Sequence, residues 1–486
     1  MMTFLSGKMR GDDIRAVTHS TRYMKPSTTL ALVALGCLAA GPWMFFSAPA
    51  QSLPRLNAHA ISNRTLSISW PYTNSGFVLQ ESSGLPAASN WQSSSSWPAF
   101  DSNSAVFSVI ASATNVTKFF RLKQPADLRG IYLDSNALPI SSNSAAALAA
   151  SFGVPGVDGL VLVMSWKNLE TNLNQYDWSD LDNWMTNATA ANLKVDLSLR
   201  AGDLTPKWLF HSPASGGAGA TPLTFSFSPN DGQSNICQTA IIAAPWDTNF
   251  LVVWDGMLTA VSNHLKSNGT YDAVKLLRLT GINRNSDELH LPAQTTNSTG
   301  AACVSNAPAI WQAAGYTPSN LLSGWSNILF SFKTHFPDKS FSVAIIALTN
   351  VNPFPPIDDN GVITNIVPAD QNRPLLALAG QLFRGRLVIQ NNSLYPDKPA
   401  MSQTIQSAQS LGTLIAFQTN ENGPGASADC EGACSNATYL AMLERGIYPL
   451  NQTNNLRAQY IEVFAADALA FTNAIWQAHQ ALFAPP

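Results

Sequence analysis

Glutamate is scarce in this chain of 486 residues, and two of its seven glutamates fall just past strand-like runs. The seven are Glu81, Glu170, Glu288, Glu421, Glu431, Glu444 and Glu462. Glu288 lies in Gly281-Ile-Asn-Arg-Asn-Ser-Asp-Glu-Leu-His-Leu-Pro292, and Glu421 ends Phe417-Gln-Thr-Asn-Glu421. Two carboxylates on either side of one bond can serve as proton donor and nucleophile, or as acid and base. Other chemistries lack their residues. The seven histidines (His19, His59, His211, His264, His290, His335, His479) stand off the strand-like runs, so no metal cluster is expected. No Gly-x-Ser-x-Gly elbow occurs. Asn422-Gly-Pro-Gly425 partly matches a phosphate-binding turn, but nothing similar follows the last strand-like run. No cofactor is expected.

The elements that must position the two glutamates are eight strand–helix repeats. The strand-like runs are 130–133, 159–166, 194–200, 274–280, 341–348, 386–390, 413–419 and 459–464, and a helical pattern follows each. Such alternation implies a parallel sheet, and eight units imply a closed (β/α)8 barrel over 125–486. A doubly wound sheet is disfavoured, since no Gly-x-Gly-x-x-Gly follows the first strand. In the third run Val195, Leu197 and Leu199 share one face, and Asp196, Ser198 and Arg200 share the other. In the last, Ile461 and Val463 oppose Tyr460, Glu462 and Phe464. The apolar face should meet helices and the mixed face the lumen. Arg200, Arg278 and Glu462 then read as a buried charge network. Catalytic groups belong at the C-terminal strand ends, where Glu288 and Glu421 fall. The loops after the third and fourth strands read as long and structureless, hence functional.

Residues 51–124 read as a small all-β sandwich module, with strand-like runs at 66–70, 76–80, 105–110 and 118–122. Residues 1–50 read as an export signal and its flank. Arg15, Arg22 and Lys25 precede an apolar run, Leu30 to Phe46, which ends at Ser47-Ala48-Pro49-Ala50. A membrane anchor is the alternative, but Gly36, Gly41 and Pro42 interrupt the run and no stable span is expected after cleavage. Charged residues are only 12%, against about 25% in typical soluble domains, which suits a secreted, periplasmic or cell-surface protein. A net charge of −3 gives nucleic acid nothing to bind. Beyond Cys37 there are four cysteines, Cys237, Cys303, Cys430 and Cys434, an even number that suggests two disulfides in an oxidising compartment.

A wider pattern joins these residues. Ser165-Trp-Lys-Asn-Leu-Glu170, Gln175-Tyr-Asp-Trp-Ser-Asp-Leu-Asp182 and Thr205-Pro-Lys-Trp-Leu209 resemble the run common in β-galactosidase-like barrel glycosidases. With Glu on the fourth and seventh strands, residues 129–484 look like a member of the retaining clan that includes β-galactosidases, cellulases and mannanases. The resemblance implies that Glu288 is the acid/base and Glu421 the nucleophile, acting on an oligo- or polysaccharide. It departs at one point. Asp287 stands where the clan has Asn, and 281–287 separate strand from acid. Either the strand runs longer or the acid sits on a loop, with Asn283 then contacting the sugar. Trp166, Trp208, Arg200, Gln418 and Glu462 complete the expected substrate-binding set, Trp166 as a stacking platform. The small module resembles a fibronectin-III-like spacer or sugar-binding unit. A non-catalytic carbohydrate-binding protein on a degenerate barrel is the other reading.

Overall fold

A computed structural model of the chain describes residues 2–3, 55–62, 65–71, 76–83, 91–94, 98–101, 103–112, 118–138, 142–227, 238–284, 286–293, 306–345, 353–364, 372–395, 402–419, 434–449 and 457–484. It divides into two units, Met1–Lys123 and Gln124–Pro486. In the first unit, strands Asn57–Ser62, Thr65–Pro71, Val106–Ser112 and Ala99–Asp101 form one antiparallel sheet. Val78–Ser82 pairs with Phe119–Lys123 and Gln92–Ser93 in a second. Strict alternation puts Ile68, Trp70, Phe107, Val109 and Ala111 on one face, where Leu79 and Phe120 of the other sheet join them in a shared core.

The second unit closes eight parallel strands into a barrel: β1 (Gly130–Leu138), β2 (Val157–Ser165), β3 (Lys194–Arg200), β4 (Val274–Arg278), β5 (Ser340–Ile345), β6 (Leu387–Leu394), β7 (Leu414–Thr419) and β8 (Tyr460–Phe464). β8 pairs with β1 and completes the ring. A helix follows each strand in turn: α1 (Ser142–Ser151), α2 (Ser179–Ala190), α3 (Thr248–Ser267), α4 (Pro318–His335), α5 (Asn372–Leu382), α6 (Ser402–Leu411), α7 (Asn436–Ile447) and α8 (Thr472–Phe483). Several starts are written locally. The Asp247 carboxylate accepts from the Asn249 and Phe250 amides at 2.9 and 3.0 Å. Thr317 caps α4 ahead of Pro318, and Ser435 forms a capping box with Thr438.

Barrel closure makes side-chain alternation decisive. Val195, Leu197 and Leu199 are buried toward the helices, while Asp196 and Ser198 are buried in the lumen. The lumen is apolar at its base, where Tyr132, Val161, Val163, Leu276, Val388, Ala416 and Tyr460 pack together. One lumen-facing step further along their strands these give way to Asp134, Arg278, Gln390, Gln418 and Glu462. Polarity therefore rises toward the C-terminal strand ends, and the charged groups sit above a dry floor.

The loops after β3 and β4 differ from expectation, since both contain structure. The first carries three short 3-10 turns and a hairpin of Pro222–Phe227 with Gln238–Ala243. The second carries a helix, Ala307–Ala313, started by Asn306 with Pro308 in its first turn. Their backbone groups would otherwise be left unpaired against the barrel.

The floor has no slack. Gly159 pairs in register with Tyr132, and a Cβ on Gly159 would lie 2.5 Å from the Tyr132 ring. Gly159→Ala should therefore destabilise the protein by about 1–3 kcal/mol through overpacking. A thermal melt checks this, and an unchanged Tm would refute it.

Candidate active site

β4 is interrupted and then resumed. Arg278 pairs with Ser342 of β5, and the Leu279 amide donates to the Ser342 carbonyl at 2.8 Å. The chain then departs over 280–287. It returns at Glu288, which bridges Ala344, and the Leu289 amide donates to the Ala344 carbonyl at 3.0 Å. An unbroken strand would place residue 280 opposite Ala344, so Glu288 occupies that place. It inherits a lumen-facing position at the C-terminal end of the strand. The question of a longer strand or a loop acid has a composite answer: a loop leaves the sheet and delivers Glu288 back into strand register.

The excursion is tied down at every turn. The Thr280 hydroxyl donates to the Leu199 carbonyl. The Asn283 Oδ1 accepts from the Gly281 amide, and its Nδ2 donates to the Ser286 carbonyl, both at 3.0 Å. The Asp203 amide donates to the Arg284 carbonyl at 2.8 Å, and the His290 amide to the Ile282 carbonyl at 3.2 Å. Ile282, Leu289 and Leu291 are buried as apolar anchors.

Asp287 closes the excursion onto the lumen. Its carboxylate accepts from Ser198 Oγ and one Arg278 nitrogen, both at 2.8 Å, and from Arg200. Arg278 is fully buried and also binds Asp196 at 2.8 Å and Glu462. Burial alone would raise Asp287, but the Arg200 and Arg278 charges hold it well below the usual carboxylate range. Burial pushes Glu462 up to about 8 against the attraction of Arg278, with the Asp196 and Asp134 charges adding to the rise. Burial likewise raises Asp196. Three buried carboxylates, Asp196, Asp287 and Glu462, face two guanidiniums, which hold Asp287 down while burial raises Asp196 and Glu462.

A directed hydrogen-bond chain leads from this network to Glu288. Gln390 Oε1 accepts from the Tyr460 hydroxyl at 2.6 Å and from Arg278 at 3.3 Å. Gln390 Nε2 donates to Glu462 and to Asn392 Oδ1, both at 2.8 Å. Asn392 Nδ2 donates to Glu288 Oε1 at 3.0 Å. The His290 ring contacts the Glu288 carbonyl at 3.1 Å, and burial lowers that histidine.

The expected site residues divide accordingly. Glu288, Arg200 and Glu462 meet in one network, through Asp287, Gln390 and Asn392. Gln418 donates to Asp134 across the β7 and β1 ends. Asn283 is 1% exposed, with both ends of its amide used inside the excursion, so it faces no ligand. Trp166 is 1% exposed and packs on Trp254, Phe250 and Trp208, with centroids 5.1, 6.0 and 6.1 Å away. Its N–H donates to Glu170 at 2.8 Å, and the Trp208 N–H donates to the Glu170 carbonyl at 3.0 Å. Trp166 and Trp208 are therefore packing residues in place of platforms. Glu421, Cys237, Cys303 and Cys430 lie outside the described residues, as do 4–54. Sequence reading missed Asp287, Gln390 and Asn392. The alternation Val388, Gln390, Asn392 carries the signal, but it lies across the end of the 386–390 run, whereas the strand continues to Leu394.

No protein-family model matches this sequence, and no curated protein matches it. Solved structures do. The catalytic domain of a β-amylase from Paenibacillus polymyxa aligns with TM-score 0.46 and 10% identity, over 74% of this chain and 98% of that one. An intracellular xylanase from Thermoanaerobacterium saccharolyticum aligns with TM-score 0.41 and 13% identity, over 71% and 88%. A β-galactosidase from Marinomonas ef1 aligns with TM-score 0.45 and 10% identity, over 72% and 59%. The likeness is one of fold.

Two outcomes follow from this geometry. Gly202 has φ +65°, and a Cβ there would lie 1.9 Å from the Arg284 carbonyl oxygen. Gly202→Ala should displace the excursion and cost about 2 kcal/mol or more in a denaturant titration; a change below about 0.5 kcal/mol would count against the packing described. The second outcome concerns pH. Glu462 is raised in the fold, so its stabilising contribution is complete below its ordinary value of 4.5 and fades as pH climbs through 8. Wild-type Tm should fall more steeply than that of Glu462→Gln over this window. Parallel profiles would refute the raised carboxyl.

Proposed function

We propose that this chain hydrolyses a glycosidic bond with retention, with Glu288 as acid/base and Glu421 as nucleophile. One observation carries the reading: the return of Glu288 to strand register, which sets a carboxylate at the lumen-facing end of β4. By sequence, Glu421 stands two residues beyond Thr419, the last residue of β7. Retention asks for carboxyl groups about 5–5.5 Å apart on opposite sides of the bond. Glu421 attacks the anomeric carbon while Glu288 passes its proton to the departing oxygen. Glu288 then takes a proton from water, and the hydroxide equivalent releases the sugar from Glu421. The substrate is an oligo- or polysaccharide. The polar rim above a dry floor supports it, since hydroxyls find donors and acceptors there.

The proposal extends to setting. Export, with 1–50 as signal and flank, fits the low charge of the chain. The even number of cysteines beyond Cys37, with Cys430 and Cys434 four apart, supports disulfides in an oxidising compartment. The antiparallel sheets of 55–123 support a fibronectin-III-like spacer.

The test is a screen of the protein against aryl β-glycosides, with Glu421→Gln and Glu288→Gln in parallel. Glu421→Gln should abolish turnover. Glu288→Gln should lose about 10²–10⁴-fold, the range for a positioned general acid. The first product released should keep the anomeric configuration of the substrate. Absent turnover on every glycoside, with polysaccharide binding intact in all three proteins, would favour a non-catalytic barrel.

A further inference from the structure

We infer that Asn392 is the positioning residue for Glu288, and that it holds the acid's proton on Oε2 by occupying Oε1. This rests on the reading of Glu288 as the acid/base. Asn392 Nδ2 donates to Oε1 at 3.0 Å. A proton on Oε1 would meet that N–H head-on, so the protonated acid carries its hydrogen on Oε2. Oε2 is thus the oxygen free to face a leaving group.

The direction of that bond is imposed from below. A guanidinium only donates. Buried Arg278 therefore demands the oxygen end of Gln390, which it meets at 3.3 Å alongside the Tyr460 hydroxyl at 2.6 Å. The nitrogen end of Gln390 must then point at Glu462 and at Asn392 Oδ1. With its oxygen committed, Asn392 can offer only its amide hydrogens to Glu288. Turning either amide over would set N–H against N–H at buried positions, at the cost of an unmade hydrogen bond.

The sheet leaves room for the contact. Ala344 of β5 stands between Glu288 and Gln390 in register, and its methyl lets the two neighbouring strands meet across it. Among the described residues, the charged groups near this end of the lumen include Asp287 and His290 on the segment of Glu288, Arg200 and Asp196 on β3, Arg278 on β4, Glu462 on β8 and Asp134 on β1. Asp287 is taken up by Arg200 and Arg278, and Glu462 by Arg278 and Gln390. Among the described residues, Asn392 is the group that hydrogen-bonds the Glu288 carboxylate itself.

The experiment compares leaving groups. Dinitrophenolate departs without a proton, whereas phenolate and alkoxide need one. Asn392→Ala should lose about 10-fold or more in kcat/KM on phenyl and alkyl glycosides and less than about 2-fold on dinitrophenyl glycosides, since kcat/KM reports the step in which the leaving group departs and not the later hydrolysis in which Glu288 acts as base. Asn392→Asp keeps the size, replaces the donor by an acceptor, and should lose at least as much. An equal loss across the series would overturn the inference, because a merely structural defect does not sense the leaving group. A second measurement needs no turnover. The side-chain NH2 signal of Asn392, assigned from its absence in Asn392→Asp, should shift in Glu288→Gln. An unmoved signal overturns the positioning contact even in an active glycosidase. A shifted signal with no turnover of any glycoside overturns the glycosidase reading instead.

Discussion

A buried guanidinium orders this barrel. Arg278 has no exposed surface, and a cation taken out of water must be ringed by acceptors. β3 supplies Asp196, β8 supplies Glu462, β6 supplies Gln390, and the excursion after β4 supplies Asp287. Each belongs to a different segment, so one side chain registers four parts of the chain against each other. Removing it would leave buried carboxylates facing one another, while an apolar cluster could have filled the same volume. The structural return is specificity of arrangement: the excursion is pulled into the lumen by Asp287, and Glu288 follows it by covalent connection.

The same cation accounts for the layering of the lumen. Below it lie rings and aliphatic groups, among them Tyr132 and Tyr460 with centroids 5.0 Å apart. Above it lie Arg200, Glu288 and Asn392. The dry floor raises the energy of an unpaired charge and so strengthens every polar contact above it.

Much of the architecture was legible in the sequence. Eight strand–helix repeats and the facing of β3 and β8 follow from alternation, which is a local rule. The Trp166–Glu170–Trp208 run was legible as a pattern, but its meaning was not. Those residues touch one another around the β2 end, so the pattern reports packing of that unit. The lumen network was legible only in part. Arg200, Arg278 and Glu462 declared themselves as polar residues on inward-facing strand positions. Asp287 did not, because it sits on a loop with no period, and its partners lie 9, 87 and 89 positions away. Asn392 was hidden by a misjudged strand end. No periodicity could show that β4 stops, leaves and resumes.

That interrupted strand has a bearing on kinship. Any comparison that slides strands past one another as unbroken blocks sets Thr280 opposite Ala344 and finds no carboxylate there. A chain built this way passes for one with no carboxylate at that position, although Glu288 reaches it by another route. Ancestry inferred from contiguous strand text will miss such detours. Ancestry inferred from which residue faces which across the sheet will not.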